Sequence, residues 1–287
     1  MSSLWMIAAS FLFACMGVCV KLMAEAGFSA AEIVFYRSLF ALIILSPLLP
    51  LRGVSLTTRN WRFQMGRSLA GFFAMTFNFW AIALLPLSTA MTLNYTSSLF
   101  LVPVLMLLAG LRPPVSAAFV LSAGFAGVAL ILHPEFSGEQ WFGASVGLLS
   151  GLIAAFSYYN IRELGALREP ELRTVFYLSL TSTLLSLFWF LFSELHPITL
   201  ANILPLIGVG GFATLAQICM TRAYGRGKAL VCASLAYSAV IFATLFGIWL
   251  WQDHVSAPEV AGIALVILSG IAAGHISRSG GKKPERS

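Results

Sequence analysis

Ten continuous apolar runs dominate the 287-residue chain. Each has about 20 residues, which is the length that an α-helix needs to cross the hydrocarbon core of a bilayer. The runs show no alternation of polar and apolar residues, so spanning helices are favoured over barrel strands. Only 10% of the residues are charged, against about 25% in a soluble domain. We therefore predict an all-α polytopic membrane protein. Its spans are residues 4–25, 30–51, 63–85, 88–110, 115–133, 142–162, 173–194, 201–221, 229–252 and 257–277.

The second half of the chain repeats the first. The segment Val34–Leu39 (VFYRSL) recurs as Val175–Leu180 (VFYLSL), 141 residues later, and Tyr95 recurs as Tyr237, 142 residues later. Because five spans is an odd number, the second repeat enters the membrane from the opposite side. Such inverted repeats surround a central cavity in secondary transporters. The predicted units are a first five-helix repeat at residues 1–140, a second, inverted one at 141–278 and a basic tail at 279–287.

Basic residues mark one side of the predicted membrane. Fifteen of the 17 lysines and arginines lie in the connections that share a side with the two termini. The group that surrounds the connection from span 2 to span 3 consists of Arg52, Arg59, Arg62 and Arg67. Cytoplasmic loops carry an excess of Lys and Arg, so we predict that both termini are cytoplasmic. A nucleic-acid-binding protein would gather these charges in one patch with stacking aromatic residues, and the observed spread excludes that class.

Two related segments precede the fourth and ninth spans. The first is Ala81–Ala90 (AIALLPLSTA); the second, Thr221–Ala229 (TRAYGRGKA), has Lys228 where the first has Pro86. Together with the ten spans and the duplication, this pattern resembles the EamA branch of the drug/metabolite transporter superfamily. The resemblance implies ten helices around a central cavity. Within the superfamily the sequence is most similar to bacterial aromatic amino-acid exporters, which implies amino-acid export across the bacterial cell inner membrane.

Tyr95 and Tyr237 are predicted to contact substrate or to act as gates. Tyr95 lies seven residues into its span, or about 10 Å below the outer surface. Tyr237 lies at the same depth from the opposite surface. The two rings are thus expected to lie symmetrically about the midplane, where each stacks on a substrate or offers it a hydroxyl group. The alternative is ordinary aromatic packing.

Other polar residues lie within predicted spans, where they are costly and usually face a cavity or another helix. Amide and hydroxyl groups suit both the carboxylate and the ammonium group of an amino acid. They serve equally as interhelical hydrogen bonds, worth under about 1 kcal/mol each, so both interpretations stay open. The candidates for substrate binding or gating are Asn78, Trp80, Asn94, Ser98, Tyr158, Tyr159, Gln217 and Ser234.

Lys21 and Arg37 are the two basic residues outside these connection groups, and both lie inside predicted spans. Lys21 lies on a face of small residues in the first span, and one interpretation is that it attracts a substrate carboxylate. The other is that Glu25 neutralises Lys21 and Glu32 neutralises Arg37. Phosphorylated substrates would favour several basic residues at mid-membrane, and the sequence predicts none there.

The central part of every span lacks Asp and Glu. A proton-coupled exporter of cationic drugs normally needs an embedded carboxylate, so we expect a uniporter of neutral and aromatic amino acids. The alternatives are a proton-coupled exporter of other small metabolites or drugs, and a ten-span channel.

No catalytic motif lies at mid-depth, so we expect no enzymatic activity, no cofactor and no metal site. Pro103 in the fourth span and Gly247 in the ninth are predicted hinges. Because one chain supplies both halves of a carrier, we expect a monomer to suffice.

Overall fold

The computed structural model describes residues 2–85, 87–111, 114–132, 140–193, 195–199, 202–252 and 256–279. Within these ranges the regular structure is helical: a short 3₁₀-helix at Ser2–Leu4 and twelve α-helices. The α-helices are α1 (Trp5–Glu25), α2 (Ala30–Leu51), α3 (Trp61–Leu84), α4 (Leu87–Tyr95), α5 (Ser97–Ala109), α6 (Val115–Leu132), α7 (Trp141–Ala166), α8 (Glu171–Leu191), α9 (Ile203–Arg226), α10 (Ala229–Ala236), α11 (Ser238–Trp251) and α12 (Ala257–Ser279). The basic tail from residue 280 onward lies outside the described residues.

Eight helical segments of the described chain are long and apolar enough to cross a membrane. One joins α4 to α5 and another joins α10 to α11. The two other predicted spans correspond to α3, which contains Arg62, Gln64 and Arg67, and to α12, whose apolar part is Ala257–Ala273. The eight segments are Ser2–Glu25, Ala30–Leu51, Thr89–Ala109, Val115–Leu132, Trp141–Ala166, Glu171–Leu191, Ile203–Arg226 and Ala229–Trp251.

Four helix pairs make the most extensive contacts: α3 with α7, α1 with α9, α6 with α12, and α2 with α8. Small residues allow close approach where these helices cross. In the α6–α12 pair, a Cβ atom added to Gly127 would lie 2.7 Å from the Gly262 carbonyl oxygen. A Cβ atom added to Gly262 would lie 2.6 Å from the Gly127 carbonyl oxygen. The two backbones are therefore in direct contact and leave no room for a side chain.

We expect Gly127→Val to lower the melting temperature of the purified protein. The added side chain forces α6 and α12 apart, and overpacking of this kind costs about 1–3 kcal/mol. Gly211→Val is the control, because a Cβ atom at Gly211 meets no atom within 4 Å. Equal melting temperatures for the two variants, measured in detergent by thermal unfolding, would contradict the contact.

Polar contacts tie α2 to α8 at both ends. At the end that shares a face with the N-terminus, Glu169 lies between α7 and α8 and accepts hydrogen bonds from Thr58 Oγ1 (2.7 Å) and Asn60 Nδ2 (2.7 Å) in the α2–α3 connection. Arg173 Nη1 donates to the same carboxylate at 2.6 Å. At the opposite end, the first turn of α2 is held by Glu32, which accepts from the His196 backbone N–H (2.7 Å) beyond α8. These contacts fix the α2–α8 pair as one unit.

The Glu169 carboxylate contributes stability that depends on pH. Burial alone would raise the pKa of Glu169, but hydrogen bonds from Thr58, Asn60 and Arg173 outweigh it and hold the pKa below its ordinary value. A pKa that is lower in the folded protein stabilises the fold above the unfolded-state pKa of about 4.3. This stabilisation is lost as the pH falls through the folded-state pKa.

We expect Glu169→Gln to destabilise the protein at pH 7 by about 1–3 kcal/mol, since it removes charge-assisted hydrogen bonds. The difference in melting temperature from the unmodified protein should begin to shrink as the pH falls below the unfolded-state pKa of about 4.3 and should go on shrinking through the lower folded-state pKa of Glu169. Glu163→Gln is the matched control, because Glu163 pairs only with the adjacent Arg162. A difference that stays constant from pH 7 to pH 3.5 would refute the role of the Glu169 charge.

Candidate functional site

Arg67 is buried in the middle of the helix bundle and joins three helices. It projects from α3 with 2% of its surface exposed. Its guanidinium donates to Ser157 Oγ on α7 and to Gln217 Oε1 on α9, both at 2.8 Å. The prediction that Arg67 belongs to a surface connection is wrong. Helix α3 begins at Trp61 and carries Arg67 into the bundle. One feature of the sequence does indicate a buried position: Arg67 precedes Gly71 by one helical turn, on the face of α3 that also holds Asn78.

No carboxylate pairs with Arg67 among the described residues, and its Nε has no hydrogen-bond acceptor. An ionised group in a low-dielectric interior is strongly unfavourable unless it is compensated. Neutral partners such as Ser157 and Gln217 compensate only in part. Arg67 is therefore poised to bind an anion.

Several other buried polar atoms of the described chain also lack a hydrogen-bond partner. Most buried polar atoms in folded proteins have a partner, so each exception needs an explanation. Seven buried side-chain atoms of the described chain lack one, and all lie on α3, on α9 or at the junction of α10 and α11. They are Gln64 Oε1, Arg67 Nε, Ser68 Oγ, Asn78 Oδ1, Thr221 Oγ1, Tyr224 OH and Tyr237 OH. A polar ligand or water between these helices would satisfy them.

Arg37 is a second cation without an acidic partner in the described structure. The predicted ion pair with Glu32 does not form, because Ser29 and His196 occupy the Glu32 carboxylate. Arg37 Nη1 instead lies 2.7 Å from Met75 Sδ on α3. A thioether is a weak acceptor and does not neutralise a charge. The expectation of no basic residues at mid-membrane was also wrong, since Arg37 and Arg67 both point into the bundle.

Lys21 forms no ion pair with Glu25 in the described structure, so the predicted neutralisation of Lys21 by Glu25 is wrong. Its Nζ lies 3.7 Å from the centroid of the Trp251 ring, in a cation–π contact between α1 and α11. Such contacts contribute about 0.5–1 kcal/mol at exposed sites. Attraction of substrate by Lys21 stays a prediction.

Tyr95 and Tyr237 occupy the two helix interruptions. Tyr95 ends α4, and Tyr237 lies between α10 and α11. At both breaks the backbone makes hydrogen bonds over three residues, from Thr96 N to Leu93 O and from Tyr237 N to Ser234 O. A 3₁₀ turn inside a helix often marks a functional hinge. The predicted hinges Pro103 and Gly247 lie instead within continuous α5 and α11, and their role stays a prediction.

The two tyrosines belong to a cluster of four, Tyr95, Tyr158, Tyr224 and Tyr237, named here the tyrosine cluster. The Tyr95 and Tyr237 rings meet edge to face at 6.1 Å, and the Tyr158 and Tyr224 rings stack at 4.9 Å. Tyr158 directly follows Ser157, which accepts a hydrogen bond from Arg67, so the cluster borders the arginine. Sequence analysis missed Tyr224, because its counterpart in the first repeat is the aliphatic Ile82.

Three other predicted site residues connect helices. Asn94 Nδ2 donates to Ser150 Oγ at 3.1 Å, joining α4 to α7. Ser98 Oγ donates to the Ala233 carbonyl at 3.1 Å, joining α5 to α10. Ser234 Oγ lies 3.5 Å from Ser269 Oγ, joining α10 to α12. These side chains thus form contacts between helices, which was one of the two interpretations of the sequence. A substrate role for each of them stays a prediction.

Trp80 and Tyr159 lie away from Arg67. Trp80 is 47% exposed on the side of α3 opposite Asn78, and its ring contacts Phe77 and Phe142. Two residues along a helix rotate a side chain by about 200°, which explains why Trp80 and Asn78 do not share a site. Tyr159 is half-buried with its ring 6.1 Å from Phe156. The described structure gives no contact of either residue with the arginines.

Metal ligands are not clustered. Across the described segments, no group of three His, Cys, Asp or Glu side chains is placed to hold a metal ion. A crevice of about 460 Å³ opens between α7, α8 and α9 on the face that carries the N-terminus. The Glu171 carboxylate at its edge forms an ion pair with Arg226 at 2.6 Å.

A polytopic helical bundle with an uncompensated buried arginine and two interrupted helices defines a membrane transporter of small molecules. The EamA-like transporter family matches residues 1–133 and again residues 141–273. The chain belongs to the EamA-like transporter family, within the drug/metabolite transporter superfamily, and it is not an enzyme.

Proteins of known sequence and structure show the same relationship. The pseudopaline exporter CntI of Pseudomonas aeruginosa is 31% identical over 266 residues, which cover 93% of each chain. An uncharacterized transporter of Helicobacter pylori is 29% identical over 276 residues, covering 92% of this chain and 91% of the relative. A solved crystal structure superimposes with a TM-score of 0.86 at 18% identity, over 98% of this chain and 99% of the other. This last likeness shows the fold alone.

We expect Tyr237→Phe to slow substrate flux several-fold while leaving the melting temperature unchanged or higher. The Tyr237 hydroxyl is buried beside Ser98 without a well-formed hydrogen bond, so its removal should cost the resting fold little. Tyr237→Ala should lower stability as well, because it empties a fully buried ring position. Flux is measured in proteoliposomes at matched protein content. Unimpaired flux by Tyr237→Phe would show that the hydroxyl does not meet substrate.

Proposed function

We propose that the chain exports small metabolites with a carboxylate group, among them neutral and aromatic amino acids, across the bacterial inner membrane. The observation that carries this proposal is Arg67, a buried cation held between α3, α7 and α9 by neutral partners only. An ionisable residue inside a membrane protein generally marks a substrate or ion pathway. The planar guanidinium group matches the geometry of a carboxylate.

Neutral groups around Arg67 suit the rest of an amino acid. The Asn78 carbonyl oxygen is a free acceptor for an ammonium group, and the tyrosine cluster offers aromatic surface for a side chain. The similarity to the pseudopaline exporter supports outward transport. We place the termini in the cytoplasm on the basis of the positive-inside distribution of charge.

Alternating access is supported by the order of helix contacts. If α1–α6 and α7–α12 are inverted repeats, each contact must have a counterpart in which the two halves are exchanged. The α1–α9 contact corresponds to α7–α3, and α2–α9 corresponds to α8–α3. The α2–α8 and α6–α12 pairs map onto themselves. Such symmetry lets one bundle rock against the other around a fixed central site, and a single chain suffices for it.

We propose uniport, because a coupling carboxylate is missing from the buried centre of the described structure. Its one fully buried carboxylate, Glu32, lies in the first turn of α2 and is engaged by Ser29 and His196. Flux that requires an imposed pH gradient would support the proton-coupled alternative. Flux that does not saturate with substrate would support the channel.

The decisive experiment is counterflow of labelled phenylalanine, glutamine and glutamate in proteoliposomes, with and without a pH gradient. We expect saturable flux of at least one of them. Arg67→Gln should reduce this flux at least tenfold, since one charge-assisted pair is worth about 1.5–3 kcal/mol. Arg62→Gln is the matched control, because Arg62 is exposed five residues earlier on the same helix. Equal flux by the two variants, or no amino-acid flux at all, would overturn the proposal.

A further inference from the structure

We infer that the preferred substrate carries two carboxylates and an ammonium group, as a dicarboxylic amino acid does. This inference deepens the proposed function and rests on it. It comes from three groups that lie along one face of α3. Two are the guanidinium groups of Arg67 and Arg37, which no acidic residue of the described structure neutralises, and the third is the unpartnered amide oxygen of Asn78.

The two guanidinium groups are arranged about one helical turn apart. Arg67 lies against Gly71, where the missing side chain makes room for its Nη1. Arg37 reaches across from α2 to Met75, with Nη1 at 2.7 Å from the sulfur. Gly71 and Met75 are four residues apart on α3, which corresponds to about 6 Å along the helix axis. The carboxylates of a small dicarboxylic acid have a comparable separation.

Two nearby cations need more than one anion. Arg37 and Arg67 carry like charges and lie against neighbouring turns of α3, and in the described structure neither pairs with Asp or Glu. A monocarboxylate would leave one of the two charges buried and unpaired, which is strongly unfavourable. A dicarboxylate compensates both, and each guanidinium group offers a fork of donors for bidentate binding.

Asn78 adds the third recognition element. It follows Met75 by three residues, so it lies on the same face of α3. Its Oδ1 atom is buried and accepts no hydrogen bond. An acceptor about one turn of α3 beyond the point that Arg37 reaches is suited to the ammonium group of a substrate whose carboxylates bind the two arginines. The three groups therefore match a dicarboxylic amino acid better than a simple diacid or an inorganic anion.

A purely structural role of Arg37 makes a different prediction for stability. Arg37 makes no hydrogen bond to oxygen or nitrogen in the described structure. Removing an unpaired buried charge should therefore leave the melting temperature unchanged or raise it. If Arg37 served to hold helices together, its removal would lower the melting temperature.

The test compares two ligands that differ in one charged group. Counterflow of labelled glutamate is measured in proteoliposomes of the full-length protein, with unlabelled glutamate, glutamine and N-acetylglutamate as competitors. Glutamine lacks the second carboxylate, and N-acetylglutamate lacks the ammonium group. We expect glutamate to compete at least tenfold better than glutamine, a difference of about 1.4 kcal/mol, and better than N-acetylglutamate.

Variants then assign the preference to residues. Arg37→Gln should abolish the preference for glutamate over glutamine without lowering the melting temperature, and Arg37→Lys should restore part of it. Arg62→Gln should leave the preference intact. Asn78→Ala should reduce the discrimination against N-acetylglutamate.

The outcomes separate this inference from the proposed function. Equal competition by glutamate and glutamine in the unmodified protein would overturn the inference, and so would a preference that persists in Arg37→Gln. In either case, flux that still depends on Arg67 would leave amino-acid export standing. No saturable flux of any amino acid would overturn both.

Discussion

The burial of a positive charge without a counter-charge is the constraint on which the rest of this structure depends. Arg67 carries its guanidinium group into the bundle and holds Ser157 and Gln217 by hydrogen bonds at 2.8 Å. These bonds join three helices but leave the charge uncompensated. In a low-dielectric interior this arrangement is costly, so it is retained where an anionic ligand completes it. The bundle is thus built around an incomplete site.

The remaining architecture divides into rigid contacts and interrupted helices. Gly127 and Gly262 bring two backbones into contact, and Glu169 fixes one end of the α2–α8 pair. The 3₁₀ turns at Thr96 and Tyr237, by contrast, weaken two helices at equivalent points of the two repeats. Firm helix pairs with interruptions between them suit a carrier whose parts move as bodies around a central site.

Sequence reasoning identified the helices because hydrocarbon thickness fixes their length. It also paired Tyr95 with Tyr237, whose rings lie at the two interruptions and touch each other. It placed Arg67 on the surface, because Arg52 and Arg59 of the same group are loop residues and Arg62 is an exposed helical residue, and a charge count cannot tell these arginines from a buried one. It placed Trp80 among the substrate contacts, although helical rotation turns that ring away from Asn78.

The sequence by itself determined that this chain is a duplicated membrane transporter, because apolar length and repeated segments are properties of the chain alone. Only the tertiary structure decided which charges are neutralised. Glu32 was expected to pair with Arg37 on its own helix, yet it binds His196, 164 residues away. Lys21 was expected to pair with Glu25, yet it contacts the ring of Trp251, which is distant in the sequence. Partners of buried charges come from whichever segments the fold brings together, and among the described residues Arg37 and Arg67 have no acidic partner.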